Sequence, residues 1–397
     1  MKMFSYNIIF FFVFLLSLPY LLVKAVSSKR FRYKFFDRIN PKPIKQNDYI
    51  LIHLASLGEA KAFLNIKETV ESIFKKKLLF SVTSNIGYDY LKSQGLEVFL
   101  APLDFNFLYK RLFKQNLPHL AIFFETEIWP SYINYLKKHN TRVILINARM
   151  SDKSYKFYLR FKVFYETISK FDVIIAKSQK DMEKFNKFNK NVKFCHNVKY
   201  ALGKKTFDYD FLLTLKMDNK KIFVFASFHK QELEFLQKAI NEVLSLGYRV
   251  IIAPRYMEDL PLFEKFLKGI AVEYSMLSKL SDIKDCVLVD RFGILEALYS
   301  ISSMVFVGGS LSGKLKGHNP IEPAIYNNFV FCGLYMDSFA QEVEFLKNLG
   351  CLTQIDNINN LKEHILKIQN LRTLSFDKKK EEIENCYKSL LLKLTQA

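Results

Sequence analysis

The chain is built on an alternation that leaves few folds open. Short apolar runs, rich in β-branched and aromatic residues, are each followed by a segment with helical spacing. The first set reads "YILIHLAS", "KLLFSVTS", "EVFLAPLD", "HLAIFFETE", "RVILINAR" and "DVIIAKS". A polar stretch, "YALGKKTFDYDFLLTLKMDNKK", breaks the rhythm near residues 200–221. The second set reads "KIFVFASF", "YRVIIAPR", "DCVLVDR", "MVFVGGS" and "NFVFCG". Such runs, separated by helical segments, are strands of parallel sheets covered by helices on both faces. Two sets imply two similar α/β domains facing across a cleft. The 397 residues, 50% of them hydrophobic, suffice for two sizeable cores. The predicted division is a membrane anchor at 1–25, a basic connector at 26–48, an N-terminal domain at 49–203, a linker at 204–220, a C-terminal domain at 221–375 and a terminal amphipathic helix at 376–397.

The N-terminus carries its own signal. "IIFFFVFLLSLPYLLV", residues 8–23, is almost continuously apolar. Extended back to Met3, it reaches the roughly 20 residues that cross a bilayer. Lys24, Lys29, Arg30, Arg32, Lys34 and Arg38 follow it, while only Lys2 and the terminal amine precede it. The positive-inside rule then predicts a single-pass anchor with the bulk of the chain in the cytoplasm. A cleaved signal peptide fits worse, because "VKAVSS" is a poor cleavage site and the charge asymmetry is reversed. Pro19 also admits a tilted or interfacial segment.

A net charge of +20 calls for an anionic partner: phospholipid, a phosphorylated substrate or nucleic acid. The lysines are spread along the chain and not interleaved with aromatics on one face, which argues against nucleic acid. The five cysteines are scattered without a CxxC pair, so neither a disulfide framework nor a zinc site is read, in keeping with a reducing compartment.

Ligands of open parallel sheets bind beyond the carboxyl ends of the strands, so polar residues there are the candidates. "YILIHLASLGEAKAF" passes from strand to helix through Ser56, Gly58 and Glu59. Helix capping accounts for all three, with Gly58 permitting a tight turn. A general base at the cleft also accounts for Glu59, kept ionised by the helix N-terminus. "FFETEIWPSYI" sets Glu125 and Glu127 beside the only Trp, and acids against an aromatic wall have shifted pKa values. "INARMSDKSY" brings Arg149 to the same edge, to bind an anion or to pair with Glu125 or Glu127. "HNVKYA" adds Lys199. In the second set, "FVGGSLSGKLKGHNPIEPAIY" runs through Gly309 and Ser310 to His318, Asn319, Pro320, Ile321 and Glu322. Free N–H groups at that helix start suit a phosphate, and Glu322 suits ribose hydroxyls. Turn chemistry is the alternative for the glycines. Pro254 and Arg255 end another strand, and Phe292, Gly293 and Ile294 form another turn into a helix. Asp208 and Asp210 in "FDYDF" have the DxD spacing of metal-bound nucleotide sugars, but in a linker helix capping explains them better.

Together, "ASLGE", "ETEIWP", "NARMS", "VKY", "APR", "FGIL", "FVGGSL" and "GHNPIEPA" resemble the Kdo (3-deoxy-D-manno-octulosonic acid) transferase family, in family order over residues 49–335. The N-terminal anchor is similar too. The resemblance implies a GT-B glycosyltransferase of two Rossmann-like domains, with an N-terminal membrane-anchor helix, at the cytoplasmic face of the cell inner membrane. It implies CMP-Kdo as donor, a lipid A precursor (lipid IVA) as acceptor, transfer with inversion in lipopolysaccharide core synthesis, and an anionic inner-membrane surface as partner. No nucleic acid, no metal and no cofactor are expected; CMP-Kdo is a co-substrate. By matched motif, Glu59 is the base, and Glu125 and Lys199 support the transition state. Ser56, Gly58, Glu127 and Arg149 are substrate-binding. Pro254, Arg255, Phe292, Gly293, Ile294, Gly309, Ser310, His318, Asn319, Pro320, Ile321 and Glu322 are CMP-binding. The family's Gly and Asp around the "VKY" lysine are His196 and Ala201 here. The usual acid after Gly293 is Ile294, and Lys316 stands where Gly is usual. The alternative is another membrane-associated GT-B transferase with a different nucleotide sugar.

Overall fold

Each set of apolar runs forms one seven-stranded parallel sheet in the computed structural model, which describes residues 3–27, 29–201, 203–356, 360–369 and 376–395. Lys2 and the predicted domain edge at 375 lie outside the described residues. The first sheet comprises β1 (Tyr49–Leu54), β2 (Lys77–Val82), β3 (Val98–Leu100), β4 (Leu120–Phe124), β5 (Arg142–Ala148), β6 (Val173–Ala176) and β7 (Val192–Phe194), in the order β3-β2-β1-β4-β5-β6-β7. The second comprises β8 (Ile222–Phe228), β9 (Arg249–Pro254), β10 (Tyr274–Met276), β11 (Cys286–Leu288), β12 (Met304–Val307), β13 (Phe329–Cys332) and β14 (Leu352–Gln354), in the order β10-β11-β9-β8-β12-β13-β14. The central strands are buried on both faces, which is why they read as apolar runs without alternation. β7, β10 and β14 are three-residue strands outside the predicted set. Their sequences, "VKF", "YSM" and "LTQ", carry too little apolar signal to be read as strands.

In each sheet the order reverses beside the first strand: between β1 and β4, and between β8 and β12. Ile50 to His53 of β1 align with Leu120 to Phe123 of β4, so both strands release the chain side by side. Val305 and Phe306 of β12 align with Val224 and Phe225 of β8 in the same way. Such switch points are where doubly wound sheets bind ligands.

The chain divides into two units, Met1–Leu202 with Glu382–Ala397, and Gly203–Glu381. The stretch predicted as a linker, 204–220, belongs to the second unit. It contains the helix Asp210–Lys216, which buries Leu212 and Leu215, and the Leu215 carbonyl accepts from buried Arg249 (2.5 Å). The terminal helix Phe376–Thr395 starts in the second unit and ends in the first, where Ile383, Tyr387 and Leu391 are buried.

The predicted membrane anchor needs correction. Residues 3–27 do form one helix, Met3–Ser27, followed by the basic helix Lys29–Ile39. Among the described residues, however, no helix is long and apolar enough to cross a membrane. The helix also begins on the body of the first unit. Buried Tyr6 donates to Asp104 Oδ2 (2.8 Å), Ser131 Oγ donates to Asn7 Oδ1 (2.9 Å), and Phe10 packs edge-on against Phe105. Asp104 is fully buried and also accepts from the Ser131 and Tyr132 N–H groups (both 2.9 Å), fixing the start of the helix Pro130–Lys138. On the remaining sides Phe11, Phe12, Leu15, Leu16, Val23 and Val26 are exposed.

Candidate active site

At the first switch point, Ser56 caps the helix Leu57–Leu64: its Oγ accepts from the Glu59 N–H (3.2 Å). Glu59 Oε2 in turn accepts from the Ala55 N–H (2.7 Å), and the Ser56 hydroxyl lies 3.3 Å from Oε1. This is one half of a capping box, with the Glu59 carboxylate reaching back to the residue before the N-cap. Glu59 is nevertheless buried, and burial pushes its carboxyl up to about 8. The Ala55 N–H and Ser56 pull the other way, while the negative charges of Glu127 and Glu125 push further up. The expectation that the helix N-terminus keeps Glu59 ionised is therefore corrected: desolvation and two neighbouring acids outweigh it. Gly58 is also corrected. It is exposed, has no positive φ, and a Cβ there would meet only Ser56 Oγ at 3.8 Å, so the turn does not require glycine.

Glu125 leaves β4 at φ 57°, a left-handed conformation unusual for a non-glycine residue. Lys199, in the 3₁₀ turn Val198–Ala201, reaches its Oε1 at 3.3 Å. Buried Asn147 at the end of β5 lies 3.5 Å from the same oxygen, and its Oδ1 accepts from the Val198 N–H (3.1 Å). Asn147 thus ties the lysine turn to the strand ends. Sequence reading missed this role, although "NARMS" contained the residue. Glu127 accepts from the Trp129 indole (2.8 Å), and His53 Nε2 stands 3.3 Å from its Oε2. Burial opposes the charge of Glu127, but His53 and Trp129 win and hold it below the usual range. His53 was not singled out from sequence, since an apolar strand hides it. Arg149 is exposed; Glu125 pairs with Lys199, and the salt bridge of Arg149 to either acid is absent among the described residues.

At the second switch point, the Gly-Gly-Ser turn after β12 does not keep its N–H groups free. Glu232, almost fully buried, accepts from the N–H groups of Gly309 (2.8 Å), Ser310 (3.1 Å) and Leu311 (3.2 Å), and from that of His229 (3.0 Å). Gly309 and Ser310, which the resemblance makes CMP-binding, thus have their N–H groups taken by a carboxylate of the chain, and turn chemistry accounts for the glycines. Gly308 explains why this turn demands glycine. A Cβ there would lie 2.7 Å from the Ser227 carbonyl and 2.9 Å from Phe228 Cα.

Arg255 follows β9, with its N–H bonded to the Phe228 carbonyl (2.8 Å) and its exposed guanidinium 5.9 Å from the Tyr256 ring centre. Pro254 is buried at the strand end. Gly293 takes φ 83°, with Phe292 exposed before it and Ile294 buried after it, so the turn presents its backbone and the Phe292 ring. Asn319 spans the start of the five-residue helix Ile321–Ile325. Its Oδ1 accepts from the Ile321 N–H (3.1 Å) and its amide donates to Glu322 Oε1 (3.1 Å). That helix start is thus partly self-capped, with Pro320 as N-cap. His318 Nε2 lies 2.8 Å from His229 Nε2. Lys316, where glycine is usual, carries φ 60°, so the departure leaves a side chain in a left-handed position.

The family described as 3-deoxy-D-manno-octulosonic-acid transferase (kdotransferase) matches residues 28–202. The chain is 31% identical to the 3-deoxy-D-manno-octulosonic acid transferase of Rickettsia bellii, over 82% of this chain and 81% of that one. It is 29% identical to the enzyme of the same description from Aquifex aeolicus, over 90% and 97%. It is 27% identical to a bifunctional glycosyltransferase/methyltransferase of Fusobacterium nucleatum, over 88% of this chain but only 56% of that one's length. In fold it is similar to the solved glycosyltransferase of Rickettsia africae, at a TM-score of 0.53 and 12% identity over 89% of this chain and 97% of that one. With that identity over four fifths of both chains to the Rickettsia bellii enzyme, the chain belongs to the 3-deoxy-D-manno-octulosonic acid transferase family.

Proposed function

We propose that the chain transfers Kdo from CMP-Kdo to a lipid A precursor, lipid IVA, with inversion of the anomeric centre. The observation that carries this reading is a buried carboxylate at the first switch point, Glu59, with a pKa pushed up to about 8. A sugar hydroxyl attacking the donor must lose its proton, and a base that titrates near the working pH takes it most effectively. Glu59 is that base. Glu125, paired with Lys199, stabilises the charge that develops in the transition state. Ser56, Gly58, Glu127 and Arg149 receive the acceptor, whose phosphate suits the exposed guanidinium of Arg149. Pro254, Arg255, His318, Glu322 and the turns at 292–294 and 319–321 hold CMP. The leaving group is a phosphate monoester, with less charge to offset than a diphosphate, so the reading requires no metal.

The exposed apolar side chains of the helix Met3–Ser27 and the basic helix that follows support a chain held on the cytoplasmic surface of the inner membrane. The test is to incubate the full chain with CMP-Kdo and a tetra-acylated lipid A precursor, in detergent and in anionic vesicles, and to weigh the product. Kdo addition is expected in both, faster on vesicles. No addition of Kdo, with turnover of another nucleotide sugar, would favour the alternative transferase. Equal rates in the two media would remove the surface role of the helix.

A further inference from the structure

The second unit contains a histidine pair whose hydrogen bonds define both rings. His229 caps the turn after β8: the Glu232 N–H donates to the His229 carbonyl (2.9 Å), and the capping box sets the His229 side chain against the same N–H, where Nδ1, the ring nitrogen next to its own backbone, is the acceptor in reach. An accepting Nδ1 carries no proton, so the proton of a neutral His229 sits on Nε2. That Nε2 faces His318 Nε2 at 2.8 Å, with the rings within 12° of parallel. His318 Nε2 must then accept, which leaves its proton on Nδ1. No described residue takes a hydrogen bond from that Nδ1, and His318 is half-buried. The pair is held from behind by the Glu232 carboxylate and the turn it fills. A Cβ on Gly309 would lie 2.9 Å from the His318 ring, so the ring rests directly on that turn.

The surroundings keep both rings neutral. Burial, then the Arg255 charge and His229, push His318 down to about 4. Burial also lowers His229, helped by Arg255 and opposed by Glu232 and Asp259. Two neutral rings in contact must be one donor and one acceptor, and the capped one chooses which.

We propose that His229 is a positioning residue for the sugar-nucleotide donor: it fixes the tautomer of His318, so that the Nδ1–H of His318 donates to an anionic oxygen of the donor. This rests on the reading of His318 as a donor-binding residue. It adds a residue that never needs to touch the ligand. A fixed neutral donor gives direction where Arg255 gives charge. Without His229, His318 Nε2 loses the group that makes it an acceptor, and the two tautomers become free to exchange.

The test uses the full chain labelled with ¹⁵N-histidine and CMP as the probe. Long-range ¹H–¹⁵N spectra at neutral pH should show His229 protonated at Nε2 and His318 at Nδ1. His229→Phe, which removes both ring nitrogens, should release His318 into a mixture of tautomers and weaken CMP by about tenfold in calorimetry, the loss of about 1.4 kcal/mol. His229→Gln returns an N–H near the Nε2 position and should restore most of both; melting temperatures verify that each variant is folded. A His318 that keeps its Nδ1 proton in His229→Phe overturns the tautomer relay. A folded His229→Phe that binds CMP as wild type overturns the positioning role. A wild-type chain with fixed tautomers that does not bind CMP overturns the donor-site reading and leaves the relay standing.

Discussion

Both sheets bring a carboxylate to the start of the helix after their first strand, and the two carboxylates end with opposite tasks. Glu59 follows β1 and Glu232 follows β8, each within the first turn beyond a switch point. Glu59 takes one backbone N–H, from Ala55, and a serine hydroxyl. Glu232 takes four backbone N–H groups. The difference comes from what leaves the neighbouring strand. Beside Glu59, β4 releases Glu125 and Glu127, two more acids. Beside Glu232, β12 releases Gly308, Gly309 and Ser310, a turn of bare donors. An acid among acids is kept hungry for a proton; an acid in a nest of N–H groups becomes part of the frame. Position at a helix start does not decide the role of a carboxylate; the adjacent strand exit does.

The comparison breaks most visibly at Glu59. Glu59→Gln keeps size and the Ala55 bond but cannot take a proton. General-base catalysis contributes roughly 10²–10⁴-fold, so turnover should fall by that much. Stability carries a second, signed expectation. The folded-state pKa of about 8 lies above the ordinary 4.5, so the folded chain holds this proton more tightly than the unfolded one. Wild type then loses stability as pH rises from about 4.5 through 8, and Gln does not. The melting temperature of Glu59→Gln relative to wild type should climb between pH 5 and 9. A pure capping role predicts the reverse: a lower melting temperature throughout and a turnover within about threefold of wild type.

Glu127 sharpens the same contrast with a smaller effect. Its charge, held by His53 and Trp129, is one of the groups that raise Glu59. A base must be ionised to act, so the rate should rise with pH along a limb set by Glu59. Glu127→Gln removes a negative charge from beside it and should move that limb to lower pH. Rate–pH profiles at saturating substrate decide the point, and a limb that stays put or moves upward would show that Glu59 does not sense Glu127.

How far the chain could be read in advance differs between these two sites. Every central strand was legible, because burial on both faces makes each an uninterrupted apolar run. The edge strands β7, β10 and β14 were not, because three residues at a sheet edge need little apolar surface. Glu59, Glu125 and Lys199 lie in local motifs at strand ends, and the fold brings Lys199 to Glu125 across 74 residues. What stayed hidden were partners set by the sheet order. His53 sits inside an apolar strand, Asn147 acts through its own side chain on a distant turn, and Glu232 reaches a loop 77 residues away. Sequence separation of that size leaves no periodicity to read. For the same reason the glycines of the Gly-Gly-Ser turn were visible, and the carboxylate that takes the N–H groups of this turn was not.

Glycine supplies the last and smallest test of the contrast. At Gly308 the backbone leaves no room for a Cβ, with the Ser227 carbonyl 2.7 Å away, so folding alone explains the residue. At Gly58 folding explains nothing. The position is the second residue of the helix Leu57–Leu64, its φ is not positive, and the nearest atom to a Cβ is Ser56 Oγ at 3.8 Å. Alanine is the better helix former by roughly 0.5–1 kcal/mol, so Gly58→Ala should leave the melting temperature unchanged or raise it slightly. A glycine that costs helix stability, one residue before Glu59, then has its reason in the space above it. If the acceptor hydroxyl approaches Glu59 there, Gly58→Ala should raise KM for the lipid acceptor several-fold and leave CMP affinity untouched. Steady-state kinetics with acceptor varied, beside a melting curve of the same preparation, read both quantities. A stabilised variant with an unchanged KM would mean that the acceptor reaches Glu59 from another side, and Gly58 would then lose its place among the substrate-binding residues.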